Sequence, residues 1–108
     1  MSIIALDMAK AHLRVTWGSE DQLIELYLLA AEGTAADFLN RQVFATQQEM
    51  ADAVEEETAG EDPIVANMQI QAGMLLILGN IYSNRDTSAE IPPGARDLLW
   101  PHRVGLGV

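Results

Sequence analysis

The sequence has no cysteine, which excludes disulfide staples, zinc–thiolate centres and thiol nucleophiles together. Aromatic residues make up only 6% of 108 residues, so a core must be built mainly from Leu, Ile, Ala and Met, which favour helix. Basic residues are scarce as well: six Lys and Arg stand against sixteen Asp and Glu, a formal net charge of −10. A free duplex-binding protein needs cations to displace counterions from phosphates, so the average surface of this chain repels DNA. No long hydrophobic run is present. The longest unbroken apolar stretch runs from Ala72 to Gly79, far below the roughly 20 residues of a membrane helix. Met1–Asp7 lacks the basic start and apolar run of a signal peptide, and none is expected.

What is present is apolar residues at helical spacing. At 49% hydrophobic the chain can supply one core, and its length suits one domain. A short first helix is expected from Asp7, as N-cap, to Leu13, before the turn Thr16-Trp17-Gly18. Ser19-Glu20-Asp21-Gln22 reads as a capping box. It opens a long helix to about Asn40 on which Leu23, Tyr27, Ala30, Ala31, Thr34 and Phe38 recur. Thr46-Gln47-Gln48-Glu49 repeats that pattern for a short helix, and Val43-Phe44 suits a brief extended piece. Asp62-Pro63 has the residues of an N-cap and first helical position, so the central core helix is expected from there to about Asn84. Gly73 and Gly79 within it point to close packing against another helix. After the polar loop Arg85–Glu90, Pro93 begins a last short helix to Trp100, and Pro101 stops it. The fold class is therefore all-α: two long helices with two or three short ones, a flexible acidic loop and an extended tail from His102.

Chemistry-bearing motifs are weak. His12 and His102 have no ligand-like spacing to a partner, and there is neither a nucleophile elbow nor a phosphate-binding glycine loop. Glu55, Glu56, Glu57, Glu61 and Asp62 could gather a hard cation, but they lack the alternation of an EF-hand loop; a solvated acidic loop is the simpler reading. Trp17 and Trp100 suit interface anchors. Trp17 could equally be partly buried in the monomer. No enzyme activity, cofactor or metal is expected. Between Gln42 and Asn84 there is no basic residue, whereas Glu49–Asp62 holds seven acids.

Three stretches, taken in order, are distinctive. They are Ala9-Lys10-Ala11-His12-Leu13-Arg14-Val15; the long helix from Glu20-Asp21 to Phe38-Leu39-Asn40-Arg41; and Ile81-Tyr82-Ser83-Asn84-Arg85, followed by Ile91-Pro92-Pro93-Gly94-Ala95 and Leu98-Leu99-Trp100-Pro101-His102-Arg103. In this order and spacing the chain resembles the phage head–tail connector, or DNA-packaging adaptor, family. The resemblance covers both ends and leaves the middle variable. It implies a single domain over residues 1–108, with 43–62 a variable acidic insertion and 101–108 a C-terminal tail. It also implies a structural subunit of a homo-oligomeric ring of about twelve copies in the virion. Such a ring sits beneath the portal protein, extends the DNA channel without reading sequence, and receives a tail-side connector or completion protein; assembly takes place in host cytoplasm, and the gene could equally lie in a prophage. Lys10, Arg14, Arg85, Arg96, Trp100 and Arg103 are candidates for subunit or portal contacts, and Glu55, Glu56, Glu57 and Glu61 for a channel-facing or exposed acidic loop. Arg85 could instead be an intrachain partner at the end of the core helix. The competing readings are another small helical virion completion protein or an acidic regulatory or binding module; a basic recognition helix, the mark of a DNA-binding regulator, is absent.

Overall fold

The computed structural model describes residues 3–16, 18–83 and 91–104. Their order is α1 (Leu6–Leu13), α2 (Asp21–Leu39), β1 (Val43–Phe44), α3 (Gln47–Glu55), β2 (Ile64–Val65), α4 (Met68–Ser83) and α5 (Pro93–Leu99), then a 3₁₀ turn at Trp100–His102. The all-α reading holds, with one small two-stranded sheet added.

The core lies between α2 and α4. Ile24, Leu28, Ala31, Ala35 and Leu39 recur three or four residues apart on α2 and are buried. Ile70, Met74, Ile77 and Leu78 do the same on α4, so the two stripes face each other. The short helices close the open sides. Ala9 of α1 and Ala95 and Leu99 of α5 join the same cluster. Gly73 is where α5 comes closest: a Cβ there would stand 2.9 Å from Leu99 Cγ and Cδ2. At Gly79 a Cβ would meet the ring of His12, 3.3 Å from Nε2. Both glycines thus serve close packing, as their place in an apolar helix suggests.

Several helix ends depart from the sequence pattern. α1 is capped by Ala5 rather than Asp7, which sits in the first turn, where its charge still favours the helix dipole. The capping box at Ser19 does not form. α2 begins after Glu20, which makes no side-chain cap, and the entry is closed by Asp21 N–H donating to Gly18 O at 3.3 Å. The two acids are otherwise engaged: Asp21 pairs with Lys10 at 2.7 Å, and Glu20 accepts from Tyr82 Oη at 3.1 Å. The second box is formed, with Thr46 Oγ1 accepting from Glu49 N–H at 3.1 Å.

The largest difference is at Asp62-Pro63, which does not start the core helix. Ile64-Val65 instead pairs in parallel with Val43-Phe44, with Ile64 N–H donating to Gln42 O and Ala66 N–H to Phe44 O. The β-branched pair suits an extended edge. The parallel register requires a long crossover, and α3 is that crossover. Asn67 then caps α4, its Oδ1 accepting from Ile70 N–H at 2.8 Å. The middle segment is thus a minimal β–α–β unit. Its acidic loop narrows to residues 56–62 and is tied down by Gln42 Nε2 donating to Thr58 O at 2.8 Å, with Ala59 buried. The extended tail is shorter than the sequence suggests, since residues 102–104 are held against α2 and α4; residues 105–108 lie outside the described residues.

Candidate functional site

The candidate contact residues fall into three places. At one end, Lys10 joins α1 to α2 through its ion pair with Asp21. Arg14 follows on a left-handed backbone, φ 61°. Its N–H donates to Ala11 O while Val15 N–H donates to Lys10 O, the paired closure of a Schellman end. Arg14 is exposed, and among the described residues its guanidinium has no partner. Trp17 and Arg85, also singled out in the sequence, lie outside the described residues.

At the other end, α5 and the 3₁₀ turn carry Arg96, Trp100 and Arg103. Trp100 is 57% exposed yet packs on Phe38 of α2, the ring centroids 6.1 Å apart at a tilt of 51°. Arg103 lies over both rings, 5.0 Å from the Phe38 centroid and 5.3 Å from that of Trp100. Its Nε donates to Phe38 O at 2.9 Å. Arg103 is therefore an internal clamp that stiffens the platform under Trp100, not a free cation on a loose tail. Arg96 stands four residues before Trp100, one helical turn away on the same exposed side. It is exposed, with no side-chain partner among the described residues.

Two neighbours in this corner escape sequence reasoning. Arg41 donates to the carbonyls of Asp62, of His102 at 3.1 Å and of Pro63 at 3.4 Å. One guanidinium thus joins the end of α2, the approach to β2 and the C-terminal turn. His102 Nε2 lies 2.8 Å from Gln69 Oε1 and 3.4 Å from Asn67 Nδ2, so this histidine fastens the turn to the start of α4. A run of charged residues gives no sign that one arginine will be spent on backbone carbonyls, because those carbonyls come together only in the fold.

The third place is the acidic segment. Glu55 ends α3, Glu56 follows it, Glu57 takes φ 62°, and Glu61 lies at the rim of an open groove of ≈ 470 Å³ bordered by Ala36, Asp37, Asn40 and Gly60. All four glutamates are exposed. Among the described residues no group of three or more His, Asp and Glu side chains is arranged to hold a metal ion. What the arrangement can do is present charge.

The solvent face of α2 completes the surface. Leu26 and Leu29 are 61% and 45% exposed, with Ala30 and Gly33 exposed beside them. No helix of the described residues is long and apolar enough to cross a membrane.

A family model of phage gp6-like head–tail connector proteins matches residues 3–98. No curated protein and no solved structure matches the chain. The matched span takes in α1 to α4 and all of α5 but its last residue, and so the chain belongs to the phage gp6-like head–tail connector family.

Proposed function

We propose that the chain is a subunit of an oligomeric ring of about twelve copies that docks beneath the portal, extends the DNA channel and receives the next tail-side protein. Family membership across residues 3–98 carries this reading. Physical features support it. The subunit keeps large apolar side chains in water, Leu26, Leu29 and Trp100 among them, as expected of a surface that meets partners. Its net charge of −10, repeated around a ring, amounts to on the order of a hundred negative charges before counterions. Acids lining a passage keep DNA from adhering to the wall. Glu55, Glu56, Glu57 and Glu61 are the exposed group offered for that role. Of the candidate contact residues, Arg14, Arg96 and Trp100 point outward for neighbour or portal contact, while Lys10 and Arg103 act by holding those surfaces in shape.

The test is genetic. A phage deleted for this gene should accumulate DNA-filled heads and separate tails in electron micrographs, with joined particles restored by the gene in trans. Normally joined, infectious particles from the deletion would contradict the proposal.

A further inference from the structure

Ring formation needs head-to-tail contact between two different patches on each subunit, and the structure offers two. The first is the solvent face of α2, where Leu26, Leu29, Ala30 and Gly33 form an exposed apolar stripe. A Cβ built at Gly33 meets nothing within 4 Å, so a neighbour can come close to the backbone there. Glu25 and Asp37 flank the stripe, and both are exposed with no ion-pair partner among the described residues. The second patch is the Trp100 platform with Arg96 beside it, one large aromatic and one cation with no ion-pair partner among the described residues. Aromatics and arginine are the residue types that anchor interfaces. The charges are complementary: an acid-flanked apolar stripe on one side, an arginine-flanked indole on the other.

The two patches also face different ways. Trp100 rests on Phe38, and the five residues from Gly33 to Phe38 turn about 140° around an ideal helix. A single copy therefore cannot bring its own patches together, and a twofold contact of the α2 face with itself would set acid against acid. We infer that neighbouring copies of this chain meet with the Leu26–Leu29–Gly33 face of α2 in one copy against the Arg96–Trp100 corner of the next. The inference rests on the ring reading and adds the surfaces to it.

The absence of cysteine makes the test direct. Leu29→Cys and Arg96→Cys, both at exposed positions, are purified separately, mixed at concentrations spanning the assembly range and oxidised mildly. The expected result is a disulfide-linked dimer that needs both variants in the mixture. Dimers of Leu29→Cys alone that form as readily would show a twofold α2–α2 contact and overturn the proposal. No cross-link, with the wild type oligomeric by light scattering, would overturn these surfaces while leaving the ring standing. No cross-link with a wild type monomeric at every concentration, and none when the mixture is oxidised on purified portal protein, would overturn contact through these surfaces altogether. Independently, Arg96→Glu should raise the concentration at half-assembly by at least about tenfold through like-charge repulsion at the contact; an unchanged midpoint in a variant with wild-type helicity would also count against it.

Discussion

Glu32 is the one buried charged side chain among the described residues, and nothing in the helical pattern marks it apart from other acids. Its carboxylate accepts from Ile3 N–H at 3.0 and 2.9 Å and from Ile4 N–H at 2.9 Å. This anchors the chain start before α1 and lets Ile4 enter the core. Glu32→Ala should lower stability by about 1–3 kcal/mol, the cost of leaving buried donors unpaired, read as a drop in urea midpoint. Glu57 acts in the opposite direction. It closes α3 with Glu57 N–H donating to Val54 O and Thr58 N–H to Ala53 O, a Schellman end whose left-handed position favours glycine. A negative charge there also opposes the helix dipole. Glu57→Gly should therefore stabilise the protein by about 1 kcal/mol, seen as a higher melting temperature; a lower one would show that the side chain holds a contact of its own. Of these two residues, Glu57 can be read from the sequence, where an acid run stands at a helix end that favours cations. The anchoring role of Glu32 depends on a contact between residues 28 and 29 positions apart in the chain.

Among the elements, the strongly periodic ones read most directly. α2 and α4 follow from apolar spacing, and Gly73 and Gly79 correctly point to close neighbours. At Gly73 that neighbour is Leu99. Gly73→Val should destabilise by about 1–3 kcal/mol through overpacking, and adding Leu99→Ala should recover part of the loss; a Gly73→Val protein as stable as wild type would mean that α5 is not seated on α4. Helix starts read less well. Ser19 and Asp62 have the residue types of N-caps, yet the acids after Ser19 are drawn to Lys10 and Tyr82, and the residues after Asp62 are drawn into pairing with Val43-Phe44. Local propensity favours each cap only weakly, and long-range partners outweigh it. The same holds for residues 102–104, where a tail with no local signal is fixed by Arg103 on Phe38 and by Val104 N–H donating to Leu39 O at 3.1 Å.

For the whole molecule, the sequence resemblance leads to the same family as the match over residues 3–98. The working surfaces were less legible, because exposure depends on packing. Trp100 is exposed while its ring packs on Phe38; the clamping of Arg103 over both rings does not follow from sequence alone. The acidic loop gives a prediction at this scale. With Glu55, Glu56 and Glu57 all changed to Gln, DNA ejection from assembled particles should slow if these exposed residues line the passage, and unchanged ejection kinetics would remove that role.

The most direct measurement is the mass of the purified protein by light scattering across a concentration series, alone and with purified portal protein. The expected result is assembly to a plateau of about twelve subunits, or recruitment onto the portal in that number. A mass of 11.8 kDa at every concentration, with no association with the portal, would contradict the ring.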